Sequence, residues 1–300
     1  MKYEFSTAIS SFCSITGLSS AMAQVKAAGY DSFDFPFSVY SVGFQAPMVQ
    51  QDWRSFLRSV KELCRQLELP VSQGHAPWLQ DIPSDFHYVS PDELYHRCIE
   101  AAAYLGCKHL IFHPVRLRER IDSLSLKERI HDWNVRWFHE LVRTAENYDV
   151  YINLENTFDS HFVQKAGDPS YPYTTGEDML RLLRDIGSDR IRLCLDTGHA
   201  NNSHRDIPAM IYSMKGELAT LHLNDNFGLK EGSFSDIHLF PGKGQISWAP
   251  IMKALQDISY KGIYNIEPID SLPKVDDGER IRLLAHGREK LKEMLSLQQV

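Results

Sequence analysis

Hydrophobic and polar positions along the chain alternate between two registers. Short β-rich runs, of period two or almost unbroken apolar character, occupy residues 3–9, 32–37, 71–75, 109–113, 150–155, 191–196, 218–223 and 262–267. Between them lie stretches of helical spacing at 18–28, 52–67, 91–105, 126–147, 176–186, 207–214, 248–258 and 277–295. Side chains two apart share one face of a strand, and those three and four apart share one face of a helix. Strand and helix repeated eight times predict an α/β fold, a (β/α)8 TIM barrel.

Local chemistry supports these boundaries. Gly29, Gly106 and Gly187 follow predicted helices, where a left-handed cap is wanted, and Ser90-Pro91 sets a capping side chain before a proline at the first helical position. Leu110-Ile111-Phe112 and residues 191–195 are nearly continuous apolar runs, as expected of parallel strands buried on both faces. No Gly-x-Gly-x-x-Gly turn follows a strand, which weighs against an open doubly wound sheet. No linker, charge block or change of composition interrupts the pattern, so residues 1–300 are expected to form a single domain.

Composition narrows the class. With 43% hydrophobic and 24% charged residues the chain can bury a large core, which excludes a disordered tail, a collagen or a coiled coil. Thirty-two basic residues against thirty-nine acidic ones leave a charge of −7, a balance that argues against a surface built to attract phosphate backbones. Five cysteines without a Cys-x-x-Cys pair predict neither a disulfide framework nor a zinc finger, and point to the cytoplasm. Ala21-Met22-Ala23 has the form of a signal-peptidase site. Glu4 and many Ser and Thr stand where the apolar segment would be, so no signal peptide is expected. No apolar run approaches the ~20 residues needed to span a bilayer.

In such barrels the active site forms at the carboxyl ends of the strands. The last six strands end in metal-competent side chains: His75, His113, Glu155, Asp196 with His199, His222 with Asp225, and Glu267. With two slots allowed per strand end, six successive hits have a chance of about one in a thousand. Singly, each is as well read as a hydrogen-bonded His or a loop-entry acid. Gathered on one face, carboxylates repel each other and their pKa values rise unless a cation holds them together. One divalent metal ion is the economical explanation. Mixed carboxylate and imidazole ligands suit zinc, manganese or cobalt, then iron, and magnesium least.

The same residues sit in Ser72-Gln73-Gly74-His75-Ala76-Pro77, Phe112-His113-Pro114, Leu154-Glu155-Asn156, Asp196-Thr197-Gly198-His199, His222-Leu223-Asn224-Asp225, Asp236-Ile237-His238, Pro241-Gly242-Lys243-Gly244 and Ile266-Glu267-Pro268. In that order they resemble the xylose isomerase-like TIM-barrel superfamily, which holds sugar isomerases and epimerases, inosose-processing enzymes and apurinic endonucleases. For the epimerase branch the resemblance implies one metal on Glu155, Asp196, His222 and Glu267. It also implies proton transfer by Glu155 and Glu267 through a metal-bound enediolate, with His199 at a substrate oxygen. For the endonuclease branch it implies up to three zinc ions on His75, His113, Glu155, Asp196, His199, His222, Asp236, His238 and Glu267, and abasic DNA as substrate. The Arg that simpler epimerases place between His222 and Phe240 is absent.

The mouth loops discriminate between these branches. Residues 37–51, 156–175 and 226–245 carry only Lys165, Lys230 and Lys243 as basic residues, beside Tyr40, Phe44, Phe158, Phe162, Tyr171, Tyr173, Phe227 and Phe234. Such aromatics stack on sugar C–H faces, close a lid, pack the loops or cover an oligomer interface. Trp78 suits either a DNA wedge or the wall of a sugar pocket. Arg116 to Arg120 reads as a solvated basic run, and Gly242-Lys243-Gly244 as a weak phosphate cradle. The expected activity is therefore that of a metal-dependent sugar isomerase or epimerase, with zinc-dependent abasic-site cleavage as the alternative. His75, His113, His199, Asp236 and His238 are expected to bind substrate or further metal, and Trp78, Phe227 and Lys243 to line the pocket. The partner is a small sugar, nucleic acid is disfavoured, and a homo-oligomer stays open.

Overall fold

All eight expected strands form: β1 (Phe5–Thr7), β2 (Phe33–Phe35), β3 (Val71–His75), β4 (His109–Phe112), β5 (Tyr151–Glu155), β6 (Ile191–Asp196), β7 (Leu218–Leu223) and β8 (Ile263–Ile266). Parallel pairing joins them in the order β1-β8-β7-β6-β5-β4-β3-β2. The remaining seam, between β1 and β2, is held by one parallel bridge from Ala8 to Asp34 and by the Asp31 amide donating to the Phe5 carbonyl at 3.0 Å. The barrel is thus nearly closed. The computed structural model describes residues 3–43, 45–78, 90–115, 121–158, 170–228 and 236–297.

The helices are α1 (Ser10–Thr16), α2 (Leu18–Ala27), α3 (Phe37–Ser41), α4 (Trp53–Leu67), α5 (Pro91–Leu105), α6 (Leu124–Tyr148), α7 (Gly176–Ile186), α8 (Thr197–Asn202), α9 (Ile207–Met214), α10 (Trp248–Asp257) and α11 (Asp277–Ser296). Three of them, α1, α3 and α8, go beyond the sequence pattern. Gly17, at φ +81°, separates α1 from α2, and Phe37 leaves its expected strand to begin α3. The expected caps are present: Ser90 accepts the Glu93 amide, and Gly106 and Gly187 end α5 and α7 in left-handed conformations. No helix among the described residues is long and apolar enough to cross a membrane.

Strand alternation divides the core in two. Ile152, Leu154, Leu193, Leu195, Leu221 and Leu223 are fully buried and face the helical layer, as the apolar runs anticipated. The opposite face points into the barrel, two residues at a time below the strand ends. There Gln73, Asn153, Cys194, Thr220 and Asn265 are also wholly buried, where such barrels ordinarily pack Val, Ile and Leu. A polar layer therefore underlies the mouth.

Candidate metal centre

Register fixes which side chains meet at the mouth. Asp196 on β6 pairs with His222 on β7, and Glu155 on β5 pairs with Cys194, so acid and imidazole stand side by side on neighbouring strands. His222 Nδ1 lies 3.0 Å from Glu155 Oε1, 3.4 Å from Glu267 Oε2 and 4.0 Å from Asp196 Oδ2. One ligand atom from each of these four residues falls within 4.8 Å of all the others. The separations of 3.0 Å and 3.4 Å match the edges of a coordination shell with metal–ligand bonds of about 2.0–2.2 Å, and that of 4.0 Å is wider. Donor types and spacing fit a divalent cation.

A second group adjoins the first. His75 Nε2 and His113 Nε2 both approach Glu155 Oε2, at 3.4 Å and 3.1 Å, so Glu155 faces two clusters through its two oxygens. Asp236 Oδ2 lies 3.1 Å from His199 Nε2 and 3.0 Å from His238 Nε2, while His238 Nδ1 is 3.0 Å from Glu267 Oε2. All nine residues singled out in the sequence converge, including the pair contributed by a loop.

Their charge states follow from crowding. Burial opposes ionisation of Glu155, but the charges of His113 and His222 and hydrogen bonds from His222 and His75 outweigh it and hold the carboxyl well below its usual range. Glu267 is lowered likewise, burial being overcome by His222 and His238. Burial dominates at Asp196 and, with the like charges of Glu155 and Glu267, lifts it to about 6 against the pull of His199 and His238. Burial disfavours a charged His199, yet Asp196 and Asp236 raise it to about 9. The centre without metal is thus an ion-paired mesh of carboxylates and imidazoles.

Other side chains set the geometry. Asn156 donates to the Asp196 carbonyl and accepts the Asp196 amide, and Asn224 Nδ2 donates to Asp196 Oδ2 at 2.6 Å. Asp196 Oδ1 accepts the His199 amide at 2.7 Å, which caps α8 and places His199 one turn on. A Cβ on Gly198 would meet Asn224 at 1.8 Å, so only glycine fits beneath this capped turn. Asp225 departs from expectation. Its carboxylate turns from the centre and accepts the amides of Asn226, Gly242 and Ile246 and the Trp248 indole N–H, at 2.8–3.0 Å. With the two-way backbone pairing of Asp225 and Leu239, it pins the loop that carries Asp236 and His238.

The proposed pocket residues separate. Trp78 stacks on His113, ring centroids 3.7 Å apart, and Phe158 lies 4.7 Å from His199. Phe227 is 52% exposed and Lys243 is exposed, and neither lines the cavity described below. The Gly242 and Lys243 amides donate within the protein, to Asp225 and Phe240, which leaves no phosphate cradle at those two donors. Tyr171 and Tyr173 pack in the core and Tyr40 packs on Phe35 and Phe56. Phe44, Phe162, Phe234, Lys165, Lys230 and residues 116–120 lie outside the described residues. Sequence reasoning missed Asp34, whose Oδ2 lies 3.4 Å from His222 Nε2; its only signal was an acid inside an aromatic strand, Phe33-Asp34-Phe35.

Fold and site define a (β/α)8 barrel with a metal-competent mouth. The family is more specific: the chain matches the xylose isomerase-like TIM barrel family over residues 22–294 and belongs to it. The D-psicose 3-epimerase of Enterocloster bolteae is 31% identical over 136 residues, 45% of this chain and 38% of that protein. A probable endonuclease 4 of Mesomycoplasma hyopneumoniae is 25% identical over 211 residues, 68% of this chain and 70% of that protein. The matches span only 60%, 38% and 63% of the first three curated relatives' own lengths. Among solved structures, a D-tagatose 3-epimerase-like protein superposes with a TM-score of 0.74 at 22% identity, over 99% of this chain and 98% of that one. The IolI protein, solved with a zinc atom, gives 0.73 at 18% identity, over 98% and 99%. These two likenesses concern the fold.

Two predictions follow from the mesh and the clamp. A His raised in the folded state stabilises below its unfolded pKa and loses that contribution as pH rises through the folded value. For His199 that window runs from 6.5 to about 9. Chelator-treated protein is expected to lose thermal stability across it, and a melting temperature that rises there would contradict the assignment. For the clamp, Asp225→Asn is expected to cost about 2–4 kcal/mol in urea unfolding, because charge-assisted bonds are lost and donors are left facing an amide. Hydrogen exchange at Gly242 and Ile246 is expected to quicken, and unchanged protection there would remove the clamp.

Proposed function

We propose that the protein is a divalent-metal-dependent isomerase or epimerase of a small sugar or polyol, working by proton transfer next to a carbonyl. The observation that carries this reading is the position of Glu155 and Glu267. They come from strands three steps apart around the ring, yet both reach the same His222 Nδ1, at 3.0 Å and 3.4 Å. Two carboxylates flanking one buried point can address two faces of a bound ketose. Glu155, Asp196, His222 and Glu267 would hold the cation, which would supply Lewis acidity beside the substrate carbonyl.

The chain's own groups then move the proton. Glu155, kept anionic by its imidazole neighbours, serves as the base that removes the proton beside the carbonyl. Glu267 returns a proton to the opposite face. Its own low pKa means that it needs a donor, and His238, raised well above its usual value by Asp236 and Glu267 against the effect of burial, stands 3.0 Å away. At rest the proton stays on His238, so it passes through Glu267 to the carbon only as the carbanion draws it. Glu155 then gives its proton to solvent and His238 takes one up, which balances the cycle, and the roles reverse in the other direction. Burial of the cluster, with Glu155 1% and Glu267 5% exposed, keeps water from quenching the intermediate.

Glu155→Gln and Glu267→Gln are each expected to reduce solvent deuterium exchange into the cognate ketose at least 1000-fold, the scale of a lost acid or base. The panel comprises D-psicose, D-tagatose and inososes, and circular dichroism checks the fold. Near-wild-type exchange by either variant would sink the two-glutamate mechanism.

A second reading, zinc-dependent cleavage of abasic DNA, is favoured by the adjoining group of His75, His113 and Glu155 and by the Asp236 loop. The charge of −7 weighs against it, since duplex binding draws much of its affinity from phosphate neutralisation. Elemental analysis after dialysis separates the two. One tightly held ion per chain is expected, with His75, His113 and Glu155 filling only at high zinc. Two or three ions retained at full occupancy, with nicking of an abasic duplex and no exchange, would replace the isomerase reading.

A further inference from the structure

A cavity of about 130 Å³ opens beside the centre, between the carboxyl ends of β1, β2, β3 and β8. Glu267 and His75 line it, with Ala8, Ser10, Ser38, Trp78 and Ile269 among its other walls. Asp34 also lines it. The residue is 2% exposed, and its two oxygens differ. Oδ2 accepts from Gln73 Nε2 at 2.8 Å and lies 3.4 Å from His222 Nε2, whereas Oδ1 is buried with no hydrogen-bond partner among the described residues. A buried carboxylate oxygen left without a donor is costly. Asp34 belongs to the wall of a cavity at the mouth, so a donor that enters there meets a side chain with one unpaired acceptor.

We propose that Asp34 is a substrate-binding residue whose Oδ1 accepts a hydrogen bond from a substrate hydroxyl seated in this cavity, so that the part entering there is neutral and hydroxylated. The assignment rests on the sugar reading above and sharpens it. A carboxylate only accepts, so it selects a donor such as a sugar O–H. A phosphate or carboxylate in the same place would face Asp34 and Glu267 at close range, a repulsion that acts as selection against phosphorylated ends. Ser10 and Ser38 add hydroxyls that pair with further sugar oxygens, and the Trp78 ring offers an apolar face to C–H groups. Through Oδ2 the same side chain touches His222, so substrate end and metal ligand share one support.

Binding to the metal-loaded protein is measured by calorimetry, with the panel ketose that exchanges fastest as the probe. Its monodeoxy analogues are tested one position at a time, together with its terminal phosphate esters. For the wild type, one deoxy position is expected to weaken binding about tenfold, the size of one charge-assisted hydrogen bond. The phosphate ester at that end is expected to bind at least tenfold more weakly than the free sugar. Asp34→Asn is expected to weaken the parent ketose by a similar factor, to cost that one deoxy analogue less than twofold, and to narrow the phosphate gap. Its metal content by elemental analysis should match the wild type. Equal losses for the parent and every analogue would mean that Asp34 acts only through His222, and would overturn the contact. A flat deoxy series, or a phosphate ester that binds more tightly than the free sugar, overturns it on the wild type alone while exchange persists. Absence of exchange and binding across the whole panel overturns the sugar reading itself, and the role of Asp34 with it.

Discussion

Burying acids beside one another is the constraint around which this barrel mouth is arranged. Glu155, Asp196 and Glu267 are nearly or wholly removed from water, and Asp34 lies just beneath them. Isolated ions in such surroundings would neutralise themselves by taking up protons. Here the imidazoles of His75, His113, His199, His222 and His238 stand within 3.0–3.5 Å of a carboxylate oxygen and hold most of the negative charge in place. The exception is informative. Unlike Glu155 and Glu267, Asp196 is driven upward, because it is the most deeply buried of those three and faces the other two carboxylates. A cation that enters must displace protons from the imidazoles it binds, which makes metal affinity and pH inseparable.

The fold meets this constraint by giving up much of the apolar packing inside the barrel. Leucines fill the outer faces of the strands, where helices cover them, while Gln73, Asn153, Cys194, Thr220 and Asn265 share the inner face with Ile111 and Ile263. Among the described residues some of that layer is left without hydrogen-bond partners, including both polar atoms of the Asn265 amide. Unpaired polar atoms at this depth destabilise the folded state, and barrels elsewhere avoid them with branched aliphatics. Their placement one layer under the charged centre gives it a polarisable floor, a use of stability that core packing alone would not select.

How much was legible in the sequence depended on whether a feature was periodic or relational. Strand and helix order could be read because each β-run and each helical stripe repeats within itself. The strand-end acids were legible because topology sends all eight carboxyl ends to one rim. The short helices were not. α8 exists because Asp196 caps it and Asn156 and Asn224 hold Asp196, a set of contacts between residues far apart in sequence. Expected strand ends were too long for a similar reason: β1 and β2 shorten where the seam narrows to the bridge from Ala8 to Asp34, and nothing in either segment announces its partner. Tyr171 and Tyr173 looked like mouth aromatics, but Tyr173 receives a hydrogen bond from Asn134 and both belong to the core.

Three buried aspartates show why residue type at a strand end does not assign a role. Asp196 gives one oxygen to a helix cap and the other to a single donor, Asn224, so that this second oxygen keeps acceptor capacity beside His222, at 4.0 Å. Asp225, three residues past His222 in sequence, spends both oxygens on four N–H donors and has none to offer a ligand. Asp34 is the least engaged of the three, with one oxygen bonded and the other unpaired among the described residues. Their backbones occupy comparable places at or near the mouth, so the distinction rests on hydrogen-bond capacity. A carboxylate has about four acceptor sites, and its function is set by those that the fold leaves over after its own amides are served. In this chain Asp34 lines a cavity, the remaining capacity of Asp196 lies within the candidate metal cluster, and Asp225, fully used, holds the loop that carries Asp236 and His238.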